Sequence, residues 1–333
     1  MSLLEVKKLN VKFKQRHQDL HALIDVSFSL QRGEQIAIIG ESGAGKSLLG
    51  YSIVDLIAKP GYIASGSISL GGQELTQLGR KQWQNIRGHR IAMIFQDMTL
   101  TLNPVLTIGE QMVEALRSHM KISRKQARQQ ALRTLDQVRI SAPEQRFNQY
   151  PHQLSGGMRQ RVIIAIALLL KPEIIIADEP TTALDVTLQA EILHLLRDIC
   201  HKEGMALILI SHDFGVVSRM SERTLVLYSG RIVEQGPTLE IINDPQHPYT
   251  QGLLNALPQM ALPGQRLNQI QGNMPSIIDR PTGCAFHPRC PYATQKCQYQ
   301  RPELVYTGVS SAACFIIEDM LREMNEDEEG FND

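Results

Sequence analysis

The sequence carries no excess of charge of either sign, because 34 lysines and arginines balance 34 aspartates and glutamates. Proteins whose main activity is binding DNA or RNA commonly present a strongly basic surface. The balance disfavours nucleic acid as the main ligand, and we expect no nucleic-acid partner.

Long apolar runs are also absent from the sequence. The longest, Val162 to Leu170, stops at the polar stretch Lys171-Pro172-Glu173, whereas about 20 apolar residues are needed to span a bilayer. The N-terminus lacks the long apolar segment and small-residue cleavage site of a secretory signal. The sequence therefore predicts a chain that does not cross a membrane by itself and stays in the cytosol.

No repeat of about 20 to 50 residues is apparent, which excludes solenoids and propellers.

Cysteine is scarce except near the C-terminus. Of five cysteines, Cys200 stands alone, and the others crowd the last fifth of the chain: Cys284, Cys290, Cys297 and Cys314. Cytosolic thiols stay reduced, so such a group suggests a metal before a disulfide. The spacing differs from the close Cys-x-x-Cys pairs of zinc ribbons. From the residues alone, zinc, an iron–sulfur cluster and no metal remain equally open.

One glycine-rich stretch has the pattern of a phosphate-binding loop. It follows the apolar run Gln35 to Ile39 and precedes apolar residues from Leu48 to Ile57, which predict a strand before the loop and a buried helix after it. In that context backbone N–H groups and the helix N-terminus attract phosphate. Lys46 would bridge the β- and γ-phosphates, and Ser47 would hold Mg²⁺. The residues of the loop are Gly40, Glu41, Ser42, Gly43, Ala44, Gly45, Lys46 and Ser47.

A second nucleotide signature follows the apolar run Ile174 to Ala177, which predicts a buried strand ending in Asp178 and Glu179. Ligands of open α/β sheets bind beyond the carboxyl ends of the strands. We expect Asp178 to position Mg²⁺ through its water shell. Glu179 would be the general base or water-orienting residue for attack on the γ-phosphate.

A third stretch, Leu154 to Arg161, opens the apolar run that begins at Val162. Ser155, Gly156 and Gly157 would cap a helix whose N–H groups point outward and form an anion site. This stretch has neither a lysine nor a carboxylate pair of its own. It therefore predicts half of a site, to be completed by another chain.

The order of elements predicts an α/β fold. Strand patterns alternate with helical patterns around the nucleotide motifs, which implies a parallel-sheet core. Helical spacing dominates from Asp97 to about Tyr150, and the composition changes at Pro237 to Pro-rich, Cys-containing sequence. We predict a first domain over 1–236 with a helical subdomain over 97–157, a second domain over 237–324, and an acidic tail over 325–333.

The motifs occur in an order that resembles the ATP-binding-cassette ATPases. The resemblance covers residues 1 to about 236 and implies an ABC-type P-loop ATPase with a RecA-like parallel-sheet core, an antiparallel β lobe and a helical subdomain, with a small Cys-containing C-terminal domain after it. Its motifs are Gly40 to Ser47, Gln96, Leu154 to Gln160, Asp178-Glu179, Ala183-Leu184-Asp185 and His212.

The resemblance also implies roles for single residues. Two cassettes would dimerise head to tail, with each ATP held between the phosphate loop of one chain and Ser155-Gly156-Gly157 of the other. Gln96 would sense Mg²⁺ and the attacking water and couple them to a membrane domain. His212 would contact the γ-phosphate, and Asp185 would lie at the dimer interface. Phe13 is our candidate for stacking on adenine.

The tail narrows the resemblance. Pro245 to Leu254 contains the His-Pro-Tyr element found in ATPases of peptide and nickel importers, and the chain resembles the dipeptide/oligopeptide-permease subfamily over nearly its full length. One departure is Met98, where that subfamily usually has proline. Similar tails are associated with a 4Fe-4S cluster, so the resemblance favours iron–sulfur over zinc at Cys284, Cys290, Cys297 and Cys314.

The expected function is therefore that of an ATPase subunit driving uptake of short peptides or a related small solute. It would lie on the cytoplasmic face of a bacterial inner membrane. Its expected partners are a homologous second ATP-binding subunit, two transmembrane permeases and an extracytoplasmic solute-binding protein. Alternatives are an exporter, an importer of nickel, glutathione or polyamine, or a soluble cassette ATPase acting on nucleic acid or ribosomes.

Overall fold

The computed structural model describes residues 2–16, 18–97, 101–181, 185–257 and 268–321. They fall into two compact units. The first unit contains Met1–Leu3, Leu30–Gln35 and Gln77–Ile210, and the second contains Leu4–Ser29, Ile36–Thr76 and Ser211–Asp333. Within the part of the chain that the structure describes, no helix combines the length and apolar composition needed to cross a membrane.

The strands are β1 (Leu4–Lys14), β2 (Asp19–Leu30), β3 (Gln35–Ile39), β4 (Gly61–Leu70), β5 (Gln73–Glu74), β6 (Ile91–Ile94), β7 (Ile174–Asp178), β8 (Ala206–Ser211), β9 (Arg223–Tyr228), β10 (Arg231–Pro237), β11 (Val305–Tyr306) and β12 (Ser311–Ala312).

The helices are α1 (Lys46–Ile53), α2 (Arg80–Gln84), α3 (Ile108–His119), α4 (Arg124–Gln137), α5 (Pro143–Phe147), α6 (Gly156–Leu168), α7 (Val186–Glu203), α8 (Phe214–Met220), α9 (Thr238–Asn243), α10 (Pro248–Asn255) and α11 (Gln295–Tyr299). Short 3-10 turns form at Pro151–Gln153 and His287–Arg289.

Three parallel strands form the centre of the first unit, in the order β8-β7-β6. Every residue of β7 and β8 is buried. Strands covered on both faces read as continuous apolar runs, which is why Ile174 to Ala177 could be recognised in the sequence. Such a sheet places the carboxyl ends of its strands at one edge, where Asp178 ends β7 and Glu179 follows it.

The helical stretch of the first unit begins its helices at polar caps. The Thr107 side chain accepts the Glu110 N–H at the start of α3, and Ser123 does the same for Gln126 at the start of α4. Each capping residue is bonded in return by the side chain at the third helical position, which satisfies N–H groups that the helix leaves without partners. The region thus has the helical character that its apolar spacing predicted.

The second unit contains an antiparallel sheet in the order β2-β1-β4-β5. Strands β4 and β5 are joined by Gly71 and Gly72, whose φ values of 57° and 82° are both positive. A two-residue turn with two positive φ angles matches the twist of a hairpin, and glycine adopts it without strain. These two strands therefore form a tight hairpin.

A second sheet of this unit follows the order β11-β12-β10-β9-β3. Strand β3 is parallel to β9, and the pairs β9/β10, β10/β12 and β11/β12 are antiparallel. A buried cluster packs here and combines residues of β3, β9, α8 and the C-terminal region, among them Tyr228, Tyr249 and Phe286. The domain limits at 236 and 324 stay a prediction.

Helix α1 is shorter than the apolar pattern predicted. It ends at Ile53, because Asp55 adopts a left-handed φ of 52° and the Leu56 N–H donates to the Tyr51 carbonyl oxygen at 2.8 Å. This is a helix-ending motif in which glycine is more usual. Leu56 is consequently 42% exposed and does not join the core.

Candidate nucleotide site

The phosphate loop connects β3 to α1 and depends on glycine conformations. Gly40, Gly43 and Gly45 have φ values of 156°, 84° and 102°. A Cβ atom on Gly40 would lie 2.3 Å from the Leu227 carbonyl oxygen, and one on Gly45 would lie 3.0 Å from Leu23 Cδ2. The backbone contact leaves no room for a side chain at Gly40, the contact at Gly45 is tight, and positive φ strains other residues. The loop therefore has the backbone freedom that a phosphate cradle requires.

Lys46 begins α1 and is only 6% exposed. Its Nζ donates to the carbonyl oxygens of Gly40 at 2.9 Å and Glu41 at 3.1 Å. The ammonium group is thereby held inside the loop by two acceptors of the loop itself. Ser47, the next residue of the helix, lies in the same first turn.

Gln96 and Glu179 meet in the first unit. Gln96 Nε2 donates to Glu179 Oε2 at 3.0 Å. Glu179 follows the fully buried Asp178, and its N–H donates to the Ile210 carbonyl oxygen at 3.0 Å. Its φ of 44° is left-handed, a conformation that is strained for a residue other than glycine. A carboxylate and an amide that lie this close can both contact one water molecule beside them.

The chain beyond Glu179 is fixed by two glutamines that sequence reasoning did not assign. Gln160 is fully buried in α6, and its Nε2 donates to the Pro180 carbonyl oxygen. Gln189 of α7 donates from Nε2 to the Thr181 carbonyl oxygen at 2.8 Å. Gln160 belongs to the Leu154 to Arg161 stretch, but no local pattern showed which carbonyl group it would reach.

Ser155 caps α6, as its position predicted, and its Oγ accepts the Met158 N–H at 3.3 Å. Gly157 has a packing role: a Cβ atom there would lie 2.5 Å from Leu188 Cδ2 of α7. Gly156 is half-buried at the first helical position. The exposed start of a helix whose N–H groups lack internal partners can receive an anion.

Asp185 and His212 each lie next to a helix start. Asp185 caps α7 by accepting the Leu188 N–H at 3.0 Å. Its neighbours Ala183 and Leu184, like Met98, lie outside the described residues. His212 is exposed directly after β8, between Ser211 and Asp213, and the Asp213 N–H donates to Ser211 Oγ at 3.0 Å. Their roles at the dimer interface and the γ-phosphate stay predictions.

Phe13 lies in β1 opposite Gly61 of β4. The ring is half-buried, and its Cε1 lies 2.8 Å from the position that a Cβ atom on Gly61 would take. One edge of the ring thus packs on the neighbouring strand. Its stacking on adenine stays a prediction.

The predicted metal site at the cysteines is wrong. Among the residues that the structure describes, no three or more His, Cys, Asp or Glu side chains are grouped so that they could hold a metal ion. This excludes both the 4Fe-4S cluster and the zinc alternative at the ligand set that we expected: Cys284, Cys290, Cys297 and Cys314.

These cysteines serve packing instead. Cys284 and Cys290 lie against the buried cluster around Phe286, and Cys297 is buried in α11. Burial raises the pKa of Cys284 to about 11, so its thiol stays protonated near neutral pH. Burial also raises the pKa values of Cys290 and Cys314. Spacing in the sequence could not show whether the four side chains converge.

Two family profiles match the chain. The ABC transporter family matches residues 23–182, and the C-terminal region of the oligopeptide/dipeptide transporters matches residues 233–297. The first match contains the phosphate loop, Gln96, Ser155 and Glu179. The second contains the His-Pro-Tyr element.

Similar proteins span nearly the whole chain. The dipeptide transport ATP-binding protein DppD of Haemophilus influenzae is 45% identical over 314 residues, which are 94% of this chain and 95% of the relative. The oligopeptide transport ATP-binding protein AppD of Bacillus subtilis is 44% identical over 320 residues, 96% of this chain and 98% of the relative.

Solved structures are similar to a large part of the chain. A dimeric post-hydrolysis state of the ATP-binding cassette MJ0796, bound to ADP and phosphate, has a TM-score of 0.63 and 30% identity and covers 71% of this chain and 98% of that one. CbiO1 of Clostridium perfringens, part of an ABC transporter complex, has the same TM-score at 27% identity. Together with the motifs above, these similarities establish that the chain belongs to the ATP-binding-cassette family of transporter ATPases, in the group of dipeptide and oligopeptide transport ATP-binding proteins.

Proposed function

We propose that this chain is the ATP-hydrolysing subunit of an importer that takes up dipeptides or oligopeptides. The hydrogen bond between Gln96 and Glu179 supports hydrolysis at this site. The proposal that the cargo is a peptide is supported by relatives that are named for dipeptide and oligopeptide transport. These relatives align with more than nine tenths of the chain.

The described residues fit ATP and Mg²⁺. Gly40, Gly43 and Gly45 give the loop the shape in which backbone N–H groups can surround phosphate oxygens, and Lys46 brings a positive charge into the same loop. As expected from the sequence, the Ser47 hydroxyl would hold Mg²⁺ and the Asp178 carboxylate would position it through its water shell, since oxygen donors are the ligands that Mg²⁺ prefers. When bound, Mg²⁺ neutralises charge on the phosphates.

Hydrolysis requires a water oxygen to bond to the γ-phosphorus while the bond to the bridging β–γ oxygen breaks and ADP leaves. Glu179 would accept the proton that the water loses, and Gln96 would orient the water by its amide group. Proton transfer by a positioned carboxylate contributes about 10²- to 10⁴-fold to a rate. His212 would donate a hydrogen bond to the γ-phosphate.

The opposite wall of the ATP site would come from a second cassette. Ser155, Gly156 and Gly157 would bind the γ-phosphate of the nucleotide held by the partner chain through the start of α6. Asp185 would lie near the same interface. The dimeric cassette among the similar solved structures supports this arrangement.

The remaining partners are proposed from the resemblance to peptide-transport ATP-binding proteins. A peptide importer of this family would combine two homologous ATP-binding subunits, two transmembrane permeases and an extracytoplasmic solute-binding protein. This chain would bind the permeases from the cytoplasmic face of the inner membrane, and Gln96 would couple nucleotide state to them. Nucleic acid has no place in this assembly.

Peptide uptake by cells tests the proposal. Cells that lack this chain should lose uptake of a labelled dipeptide or tripeptide, and the wild-type chain should restore it. Glu179→Gln should not restore it. Glu173→Gln is the matched control, because Glu173 bonds Arg90 and Arg32 at the other end of β7.

Three outcomes would contradict the proposal. Intact peptide uptake with loss of nickel, glutathione or polyamine uptake would change the cargo, and loss of export would change the direction. The ATPase activity of the purified chain could rise with DNA, RNA or ribosomes but not with permeases. That result would favour the alternative of a soluble cassette ATPase acting on nucleic acid or ribosomes.

A further inference from the structure

The phosphate loop is held by residues of the C-terminal region. Arg289 Nη1 lies 2.7 Å from Glu41 Oε2, and Arg289 Nη2 lies 3.0 Å from Glu41 Oε1. Two parallel bonds of this kind join a guanidinium group and a carboxylate in their strongest and most directional geometry. The Arg289 side chain is 5% exposed and Glu41 is 30% exposed, so solvent screens the pair only in part.

A second contact reaches the backbone of the same loop residue. The Glu41 N–H donates to the Tyr249 phenol oxygen at 2.8 Å. Tyr249 is fully buried in the first turn of α10, and its ring packs edge-on against Tyr228 at 4.6 Å between centroids. The hydroxyl group therefore has a fixed position from which to hold the loop.

Contacts other than the one with Glu41 fix the position of the Arg289 side chain. Its Nε donates to the Gln271 carbonyl oxygen at 3.0 Å, and Nη1 lies 3.4 Å from the Tyr228 hydroxyl oxygen. The guanidinium carbon also lies 5.9 Å from the centre of the Tyr228 ring. Hydrogen bonds and packing thus leave the guanidinium group little freedom, so it can set the position of its partner.

These contacts matter because of where Glu41 lies. It follows Gly40 and comes two residues before Gly43, so its own loop offers a permissive backbone. Glu41 also puts a negative charge into a loop that would receive a highly negative triphosphate, and the two would repel each other. A cation paired with Glu41 removes that repulsion.

We propose that Arg289 and Tyr249 are positioning residues of the nucleotide site, which hold Glu41 and cancel its charge so that the phosphate loop is ready for ATP. The C-terminal region is then part of the ATP-binding machinery. The inference rests on the proposed binding of ATP at Gly40–Ser47.

A double-mutant cycle on the full-length chain tests the inference. Binding of the non-hydrolysable analogue adenylyl imidodiphosphate is measured for wild type, Glu41→Gln, Arg289→Met and the double variant. We expect Arg289→Met to weaken binding at least about tenfold, because the Glu41 charge is left unpaired. Glu41→Gln should weaken binding less than Arg289→Met, because it loses the bidentate bond but leaves no unpaired carboxylate, and the double variant should bind better than Arg289→Met.

That recovery separates positioning through Glu41 from a general effect on folding. Tyr249→Phe, which removes only the hydroxyl group, should weaken binding about threefold or more. Lys296→Met is the matched control, because Lys296 is a C-terminal cation that pairs with Glu318 and Asp319 and makes no contact with the loop in any described bond. It should bind the analogue like wild type.

The inference is overturned if Arg289→Met binds like wild type, or if the double variant is as weak as Arg289→Met. Should Arg289→Met fail to fold, as judged by circular dichroism, Arg289→Lys replaces it and must still weaken binding. A wild-type chain that does not bind the analogue would instead refute ATP binding itself.

Discussion

Surrounding hydrogen bonds keep the Glu179 backbone in a conformation that a residue with a side chain does not prefer. Its left-handed φ of 44° costs roughly 1 to 3 kcal/mol for a residue with a side chain. The N–H bond to Ile210 fixes its backbone, and Gln160 and Gln189 fix the carbonyl groups of the next two residues. Strain that is maintained by surrounding bonds is typical of functional positions.

Replacement of Glu179 by Gln should separate ATP binding from hydrolysis. Gln keeps the size and a hydrogen bond to Gln96 but cannot accept the water proton, so we expect kcat to fall about 10²- to 10⁴-fold with little change in ATP affinity. Phosphate release and analogue binding measure the two effects. Unchanged turnover would remove Glu179 from its role, and Glu173→Gln should leave both values near wild type.

His247 should make stability depend on pH. It is 2% exposed, and burial lowers its pKa to about 3 from an ordinary value of 6.5. Its Nδ1 accepts the Tyr249 N–H at 3.0 Å, a bond that requires this nitrogen to be unprotonated. Between about pH 6.5 and 3 the unfolded chain binds a proton that the folded chain does not, so stability falls as the pH is lowered through this window.

The expected size is a loss of about 2 kcal/mol between pH 8 and pH 5 from this residue. Urea unfolding of wild type and His247→Asn at both pH values measures it, and asparagine retains a cap for α10. The buried carboxylate Glu234, whose pKa is raised by burial, is present in both chains and cancels in the comparison. Equal pH dependence of the two chains would contradict the assignment.

At the scale of elements, α6 and α7 approach closely because of one glycine. Gly157 lets Leu188 of α7 occupy the space that a Cβ atom would take, only 2.5 Å away. The side chains that fix the segment after Glu179 come from these same two helices. The distance between α6 and α7 therefore determines where Pro180 and Thr181 lie.

Gly157→Ala should destabilise the chain by about 1 to 3 kcal/mol, because overpacking outweighs the gain in helix propensity. Leu188→Ala should restore part of that loss in the double variant. Gly79→Ala is the control: Gly79 has a φ of −76°, and its added Cβ would meet nothing closer than 3.7 Å. Thermal unfolding measures all four chains, and equal stability of Gly157→Ala and wild type would refute the close contact.

The sequence predicted the elements better than the contacts between distant residues. The phosphate loop and the strand before Asp178 were recognisable because their chemistry is local. The end of α1 was not, since Asp55 takes a turn conformation usually left to glycine. The Arg289–Glu41 pair joins residues 248 positions apart, and no pattern of neighbours encodes it. The cysteines failed as a metal site because spacing along the chain does not fix side-chain convergence.

At the scale of the whole molecule, the isolated chain should bind ATP, but it should hydrolyse ATP efficiently only when it is paired with a second cassette. Ser155→Arg places a bulky group at the start of α6, where we expect the partner's nucleotide. The isolated variant should bind the ATP analogue like wild type. The assembled transporter should lose roughly 10²-fold or more in ATPase rate, as when a transition-state donor is removed.

Analogue binding by the purified chain and phosphate release by the complex in detergent measure these two effects. Lost binding by the isolated Ser155→Arg chain would place the residue next to its own nucleotide and contradict a shared site. Unchanged activity of the complex would remove Ser155 from the site altogether.

The ion pair between Arg289 and Glu41 also has a consequence for synthesis on the ribosome. Arg289 is made 248 residues after its partner, and at about 5 to 20 residues per second this is a delay on the order of 10 to 50 s. During that interval the phosphate loop exists without the group that holds it. We expect nascent chains to bind ATP about tenfold or more weakly than the finished chain until translation has passed Arg289, which would favour binding of nucleotide by complete ATPase subunits.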